Sequence, residues 1–235
     1  MNILGIIPAR GGSKRTPRKN VKMIAGKPLI AHTIEAGLKS KFINKLVVST
    51  EDAEIARVAM EFGAEVIERP HELAMDTTKT APVMVQVVEQ LELKGYIPDI
   101  VVLLQATSPT RDEEIIDAAL MQLINSDKDS IFTGFKLRKS MPLWKKGFDG
   151  KNIAVYDYHF RPRTQEPHLM EDLYHENGAF YAIKIDSFRK TKDFLGEDVD
   201  IFEMEASVDI DTPEDFTRAE KTLLEKTANS TLNNF

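Results

Sequence analysis

The chain contains no cysteine in its 235 residues, so it has no disulfide, no thiolate metal site and no cysteine nucleophile. It has no apolar run close to the about 20 residues that a membrane-spanning helix needs. The apolar stretch of residues 1–7 is short and is not preceded by positive charge, unlike a signal peptide. We therefore expect a cytoplasmic protein that does not act at a membrane.

The chain also lacks an excess of basic residues. Its formal net charge is -6 at pH 7, which argues against general binding to nucleic acids. Apolar residues make up 42% of the chain and charged residues 29%, as in an ordinary globular protein. The length fits one large α/β domain, or one domain with a modest insertion.

Two common phosphate-binding loops are missing as well. The chain has no G-x-x-x-x-G-K-[ST] sequence, and it has no G-x-G-x-x-G sequence that opens a helix. The first absence excludes a P-loop phosphotransferase, and the second excludes the usual dinucleotide-binding fingerprint.

The most informative stretch is the N-terminal one, residues 1–20. The apolar residues 3–7 are followed by Gly11-Gly12-Ser13 and by five basic side chains: Arg10, Lys14, Arg15, Arg18 and Lys19. This pattern predicts a buried strand that ends in a basic loop, where backbone N–H groups and cations could hold a nucleoside triphosphate. A strand-exit turn with a solvated basic edge is the alternative.

Strands and helices alternate along the rest of the chain. We predict strands at 3–7, 46–50, 64–67, 99–104, 130–133, 177–183 and 207–211, and helices at 28–40, 50–62, 80–94, 112–123 and 212–227. This order is typical of an α/β protein with an open, mostly parallel sheet. Ligands of such sheets bind beyond the carboxyl ends of the strands, so the loops after strands one, three and four should share a cleft.

Residues 136–175 are different, because they are polar and aromatic with weak periodicity. We expect a single domain over residues 1–227 in which this stretch is an inserted arm, and a disordered tail at 228–235. A surface β-hairpin is the alternative for the arm.

Two acidic residues near the C-terminus form the second candidate site. Asp209 and Asp211 are two positions apart, so on a strand they face the same side with about 6–7 Å between their α-carbons. Two such carboxylates can share one hard cation that also touches phosphate oxygens, which favours Mg²⁺. Alternatively, Asp211 only precedes the last helix as a cap-like residue and Asp209 is simply exposed.

Eight short motifs, spread in order over roughly residues 2–220, resemble the acylneuraminate cytidylyltransferases, which are the CMP-sialic acid synthetases and their relatives for other nonulosonic acids. The motifs are IPARGGSK (7–14), KN (19–20), VST (48–50), RP (69–70), LAMDT (73–77), LQATSP (104–109), ENGAFY (176–181) and DIDTP (209–213). The resemblance implies a three-layer nucleotidyltransferase fold (the nucleotide-diphospho-sugar transferase fold) with a dimerisation arm. It also implies a homodimer and a reaction in which CTP and a nine-carbon 2-keto acid give a CMP-sugar and pyrophosphate.

The resemblance also implies roles for individual residues. Arg10, Lys19 and Asp211 would be catalytic, and Asp209 and Asp211 would bind Mg²⁺. The nucleotide would be bound by Ala9, Gly12, Ser13, Asn20, Arg69, Thr78 and Thr80. The sugar acid would contact Gln105, Arg163, Gln165 and Tyr181.

The departures from the family pattern fall in the predicted arm. Arg163 and Gln165 match an expected arginine–glutamine pair only loosely, His175 replaces a basic residue, and Trp144 stands in register where a lysine is expected. In the family such an arm reaches the partner subunit, which would place Arg163 in the other protomer's site. The acceptor therefore stays open among N-acetylneuraminate, legionaminate and other ulosonic acids, and a non-catalytic nucleotide-binding domain is a further alternative.

Overall fold

The computed structural model describes residues 1–137, 143–155, 159, 172–205 and 207–232. Within them the strands are β1 (Ile3–Pro8), β2 (Met23–Ile24), β3 (Lys27–Pro28), β4 (Lys45–Thr50), β5 (Glu65–Glu68), β6 (Ile100–Leu103), β7 (Ser130–Lys136), β8 (Trp144–Lys146), β9 (Asn152–Ala154), β10 (Tyr174–Lys184) and β11 (Val199–Glu203). The helices are α1 (Leu29–Lys39), α2 (Ala53–Glu61), α3 (Thr80–Leu93), α4 (Glu113–Ile124), α5 (Ile185–Thr191) and α6 (Pro213–Leu232), with 3-10 turns at Lys19–Val21 and His71–Leu73.

The central sheet of the described chain has seven strands in the order β11-β7-β10-β6-β1-β4-β5. Strand β10 runs antiparallel to its neighbours β6 and β7, and the other adjacent pairs are parallel. The mostly parallel sheet that the sequence predicts is thus confirmed.

Helices cover both faces of this sheet. Along β1, Ile3 and Ile7 pack with α1, α2 and α4, whereas Leu4 and Ile6 pack with α3 and α5. Successive side chains of a strand point to opposite faces, so a strand that is apolar at every position must be covered on both sides. The predicted three-layer α/β architecture is therefore confirmed.

The predicted strand at 207–211 is wrong. This segment does not pair with any strand of the described sheet. Its backbone bonds instead to a loop, from Ile210 N–H to Thr107 O (2.9 Å). Its apolar side chains pack in a small cluster with α6 and the β2–β3 hairpin instead of with the sheet. The edge position belongs to β11, which the sequence analysis missed because its residues are only half-buried.

Helix α6 is longer than predicted. It begins at Pro213 as expected but continues to Leu232, so the stretch 228–232 of the expected disordered tail is helical. This stretch contains no glycine or proline that would end the helix. Residues 233–235 lie outside the described part of the chain.

The base of the predicted arm belongs to the central sheet. Strand β7 extends to Lys136 and β10 already starts at Tyr174, and these two residues pair with each other. In the described part of the arm, β8 and β9 form a separate antiparallel hairpin.

Among all described residues, no helix is both long and apolar enough to cross a membrane.

Candidate active site

The loops after β1, β5 and β6 meet at one edge of the sheet, as their order along the chain predicts. Arg10, after β1, forms an ion pair with Asp76, after β5, at 2.7 Å. The C-terminal segment joins them, because Ile210 accepts from Lys19 Nζ at 2.7 Å and donates to Thr107 O at 2.9 Å. Residues that are nearly 200 positions apart in the chain thus form one site.

The five cations of the N-terminal loop all pair with carboxylates of the protein. The pairs are Arg10 and Lys14 with Asp76, Arg15 and Lys19 with Asp211, and Arg18 with Asp52 and Glu54. The exposed fraction of the side chain is 78% for Lys14 and 71% for Arg15 but 14% for Lys19. Lys14 and Arg15 can therefore exchange partners readily in water, whereas Lys19 is fixed by the protein.

The two glycines of this loop have different surroundings. A Cβ atom on Gly11 would lie 2.4 Å from Asp52 Oδ2, whereas a Cβ on Gly12 would meet nothing within 4 Å. The N–H of Gly11 donates to Glu51 Oε1 (2.7 Å), and the N–H of Ala9 donates to Ser49 O (3.0 Å). Close packing thus requires glycine at position 11, and Gly12 and Ser13 are the predicted binding residues on the open side.

Lys19 and Asn20 hold the loop in shape from its far end. Asn20 is buried, and its Nδ2 donates to Arg10 O at 3.0 Å, which ties the end of the loop to its beginning. Lys19 reaches the C-terminal segment, where its Nζ lies 3.4 Å from Asp211 Oδ1 as well as 2.7 Å from Ile210 O. The basic loop is therefore anchored at both ends while its middle stays exposed.

The predicted base-binding residues lie on the β4 and β5 side of the site. Arg69 is buried and donates from Nε and Nη2 to Ser49 Oγ (3.2 Å) and Ser49 O (2.7 Å). Burial lowers the pKa of its guanidinium. Thr78 donates to Glu72 O (3.1 Å), and Thr80 is the first residue of α3, where helix N–H groups have no intrahelical partner.

Asp211 does not cap helix α6, because Thr212 and Asp215 do so in a reciprocal capping box. Thr212 Oγ1 accepts from Asp215 N (3.3 Å), and Asp215 Oδ2 accepts from Thr212 N (2.8 Å). Asp215 Oδ2 also accepts from the backbone N–H of Asp211 (3.0 Å). The Asp211 carboxylate is therefore left to face Arg15 and Lys19.

Asp209 stands beside Asp211 in a less polar environment. It is exposed on its outer side, but the surrounding protein removes enough water to raise the pKa of its carboxyl. A hydrogen bond from Thr107 and the charge of Lys19 lower this pKa, whereas the like charge of Asp211 raises it. No group of three or more His, Asp or Glu side chains converges here or elsewhere in the described chain, so these two aspartates stand as a pair.

On the β6 and β10 side, Gln105 faces an irregular turn of the sheet. The pairing of β10 with β7 shifts register between Glu176 and Tyr181, and Gly178 adopts a left-handed φ of 72° there. A Cβ on Gly178 would lie 3.7 Å from both Gln105 Nε2 and Gln105 Oε1. We call residues 177–179 the β10 bulge. It lies next to the side chain of the predicted acceptor residue Gln105.

The other predicted acceptor residues are placed differently. Tyr181 is buried in the core, its hydroxyl donates to Glu176, and burial raises the pKa of that hydroxyl. Arg163 and Gln165 lie outside the described residues.

The sequence that forms this sheet, the basic loop and the aspartate pair matches a known family. Residues 4–234 match the family described as cytidylyltransferase. The chain belongs to the cytidylyltransferase family.

Two curated relatives match nearly the whole cytidylyltransferase. CMP-N,N'-diacetyllegionaminic acid synthase of Legionella pneumophila is 34% identical over 94% of this chain and 96% of its own. Pseudaminic acid cytidylyltransferase of Campylobacter jejuni is 34% identical over 92% of this chain and 93% of its own.

A solved structure confirms the nucleotidyltransferase fold. The CTP complex of CMP:2-keto-3-deoxy-manno-octonic acid synthetase superimposes with a TM-score of 0.73 over 96% of this chain and 100% of its own. The two sequences are 19% identical, so the similarity establishes the fold alone.

The sequence analysis of this cytidylyltransferase missed three residues of the site. Asp76 pairs with Arg10 of the basic loop, and Glu51 accepts from the N–H of Gly11. The third residue is the buried Arg111, whose Nη1 lies 3.4 Å from the carbonyl of Gln105. Asp76 and Arg111 stand in or beside quoted motifs, but Asp76 pairs with Arg10, 66 positions away, and Arg111 binds Ala179, 68 positions away, as well as the nearby Gln105. No spacing rule could have revealed these contacts.

The pairing of Asp76 with Arg10 and Lys14 leads to the first prediction. Asp76→Asn removes the carboxylate that pairs with these two cations, so we expect the cytidylyltransferase to bind inorganic pyrophosphate about two- to tenfold more tightly. Isothermal titration calorimetry at low ionic strength measures this change, which should shrink at about 0.5 M salt.

Asp198→Asn is the matched control for charge. Asp198 pairs with Lys128 at 2.8 Å, far from the basic loop, so its removal should leave the pyrophosphate affinity unchanged. Equal affinities of wild type and Asp76→Asn would contradict competition by Asp76.

The capping box of α6 leads to a prediction about pH. Hydrogen bonds from Arg218 and from the N–H groups of Asp211 and Thr212 hold the pKa of Asp215 well below its usual range. Because the folded-state pKa lies below the unfolded value of about 3.9, Asp215 contributes stability above about pH 4 and loses this contribution as the pH falls further. Urea unfolding of wild type and Asp215→Asn should therefore differ most near neutral pH, and the difference should shrink progressively below about pH 4 as the pH approaches the lowered folded-state pKa.

Glu214→Gln removes an exposed charge from the same helical turn. Its unfolding free energy should stay close to that of wild type at each pH. A difference between wild type and Asp215→Asn that shows no decline even at about pH 2 would show that Asp215 acts without its charge.

Proposed function

We propose that this cytidylyltransferase joins CTP to the anomeric hydroxyl of a nonulosonic acid, giving the CMP-sugar and pyrophosphate. The observation that carries the proposal is the junction of Lys19 with Ile210 O and Asp211. It brings cations suited to a triphosphate next to a pair of carboxylates suited to a divalent cation. The names of the Legionella and Campylobacter relatives support an acceptor of this class.

In this proposal, Arg10 and Lys19 hold the triphosphate, with the backbone near Gly12 and Ser13 as additional donors. The acceptor hydroxyl attacks the α-phosphate in line, and negative charge grows on the departing pyrophosphate. The protein then contributes positioning of the two substrates and neutralisation of that charge. No covalent nucleophile is needed, which agrees with a chain that has no cysteine.

The aspartate pair fits Mg²⁺ as the cofactor. Asp209 and Asp211 offer hard oxygen ligands, and Asp211 is not used for capping α6. Desolvation and the like charge of Asp211 raise the pKa of Asp209, and a divalent cation held by these two residues would offset both effects. When bound, Mg²⁺ supplies positive charge to the phosphate oxygens.

The two ends of the substrates have separate positions in this proposal. Arg69, Thr78 and Thr80 recognise the cytosine and Asn20 orients the nucleotide, on the side of β4 and β5. Gln105 contacts the sugar acid, on the side of the β10 bulge. We propose a legionaminate- or pseudaminate-type acid as the first candidate acceptor, and N-acetylneuraminate as the next.

The decisive experiment measures Mg²⁺-dependent pyrophosphate release from CTP, ATP, GTP and UTP with a panel of acids. The panel contains legionaminate, pseudaminate, N-acetylneuraminate and an eight-carbon ulosonate. We expect release with CTP and a nine-carbon acid. Binding of CTP without release from any acid would require another acceptor, and no nucleotide binding at all would favour a non-catalytic domain.

Two variants test the roles within the site. Arg10→Ala and Asp211→Ala should each lower turnover at least about 100-fold, because each removes charge that the transition state needs. Circular dichroism should remain as in wild type. Asp186→Ala, at a fully exposed position on α5, is the control that should keep full activity. An active, folded Asp211→Ala enzyme would contradict the metal role.

We also propose a homodimer that forms through the arm. The β8–β9 hairpin exposes apolar side chains to solvent: Phe148 completely, Trp144 by 51% and Ile153 by 42%. Trp144 and Ile153 lie on opposite faces of the hairpin and Phe148 lies in its turn, so a partner that covers them has to surround the hairpin. A second copy of the chain is the partner that we propose.

Light scattering after size exclusion should therefore give a dimer for wild type. The double variant Phe148→Asp/Ile153→Asp should shift it towards the monomer, because burying two unpaired carboxylates is costly. Leu93→Asp, at an 89% exposed position on α3, should remain dimeric. A wild type that is monomeric at all concentrations would refute the dimer.

A further inference from the structure

Arg111 is a buried cation at the back of the acceptor side of the site. It is 2% exposed and is among the largest fully buried side chains of the chain. In the part of the chain that the structure describes, no carboxylate forms an ion pair with it. Burial of this unpaired charge lowers the pKa of the guanidinium to about 9. A cation placed in this way is costly, so a structural or functional demand must hold it there.

The contacts of Arg111 connect two backbone segments of the site. Its Nη1 donates to the carbonyl of Ala179, in the β10 bulge, and lies 3.4 Å from the carbonyl of Gln105. Gln105 and Gly178 face each other across this connection, with 3.7 Å between the Gln105 amide and the position of a Gly178 Cβ. The guanidinium therefore sets the spacing between the Gln105 loop and the bulge.

The opposite side of the bulge is held by uncharged groups. Asn177 Oδ1 accepts from Thr133 Oγ1 (2.7 Å) and from Ala179 N (3.1 Å), and Thr133 Oγ1 accepts from Phe180 N (3.1 Å). These bonds tie the bulge to β7. Arg111 is the described side chain that ties it to the loop after β6.

Several buried polar atoms between the Gln105 loop and the β10 bulge have no hydrogen-bond partner within the described residues. They are Arg111 Nε, Arg111 Nη2, Ser108 Oγ and Asn177 Nδ2. Buried donors without partners are rare in proteins, and they are found where function rather than stability selects the arrangement. Close behind Gln105, the charge of Arg111 thus has no ion-pair partner among the described residues, and Asp112 offsets it only through space.

We propose that Arg111 is a positioning residue for the acceptor, which fixes the Gln105 loop against the β10 bulge and supplies buried positive charge that favours an acidic sugar. The proposal rests on the proposed function insofar as Gln105 contacts the acceptor. It assigns no contact between Arg111 and either substrate.

Steady-state kinetics separates this role from a general structural one. Arg111→Met should raise the KM for the sugar acid at least about tenfold, while the Kd for CTP from calorimetry stays within about twofold. Arg111→Lys keeps the charge but loses the planar, multi-donor geometry, so its KM for the acid should lie between those of wild type and Arg111→Met. Equal weakening of acid and CTP binding would overturn the proposal.

A destabilised control shows what loss of packing alone does. Leu120→Ala opens a cavity where α4 packs on the sheet, and it leaves every hydrogen bond of Arg111 in place. It should lower thermal stability without changing the ratio of the KM for the acid to the Kd for CTP. If Leu120→Ala shifts this ratio as Arg111→Met does, the effect of Arg111 is structural.

Hydrogen exchange makes the result independent of the proposed function. In Arg111→Lys without substrates, peptides that cover residues 104–110 and 176–180 should exchange faster, whereas peptides over helix α3, residues 80–93, should not change. Unchanged exchange in the first two peptides would overturn the positioning role even if wild type is active. An inactive wild type with the expected exchange would instead refute the acceptor assignment and keep the role of Arg111. If Arg111→Met does not fold, the kinetics and exchange of Arg111→Lys decide.

Discussion

The site depends on one contact, the hydrogen bond from Lys19 Nζ to Ile210 O. It connects the loop after the first strand to the segment before the last helix, so the site cannot form before the whole chain is folded. The segment on the far side has no strand ladder of its own and is held by Thr107, by the apolar cluster under α6 and by Asp215. Thr212 and Asp215 thus cap helix α6, while the preceding residue Asp211 keeps its carboxylate in the site.

Charge balance explains how an acidic protein can carry a strongly basic loop. In the ligand-free chain, Asp76 and Asp211 each accept two cations of the loop, so the positive charges are neutralised locally. In our proposal, a polyphosphate has to replace carboxylates rather than water at these positions. Such an exchange lowers the net affinity, but it also favours the departure of a product that carries the same charges. In our proposal, Asp211 additionally changes its partner from Arg15 to a cation.

Much of the fold could be predicted from the sequence, because the buried strands β1, β4 and β6 are continuously apolar and alternate with amphipathic helices. Strand β11 was missed since an edge strand that is half-buried has no such pattern, and the segment 207–211 was misread because Val208 and Ile210 alternate with polar residues as in a strand. The basic loop and both aspartates were recognisable from local sequence. Asp76, Glu51 and Arg111 were not, because their significance lies in partners that only the tertiary structure brings close.

The direction of β10 brings both ends of the predicted arm to the edge of the sheet where the candidate site lies. Since β10 is antiparallel to β6, its first residues, not its last, reach the edge where β1, β5 and β6 end. Strand β7 ends at the same edge, so the chain between β7 and β10 leaves from and returns to the site. Insertions or substitutions there alter the surroundings of Gln105 and the bulge, whereas the basic loop and the aspartates are anchored elsewhere. In our proposal, a fixed centre for cytidylyl transfer is therefore combined with a variable acceptor side. The departures from the family pattern at Trp144, Arg163 and Gln165 fall in this segment, and His175 lies at the start of β10.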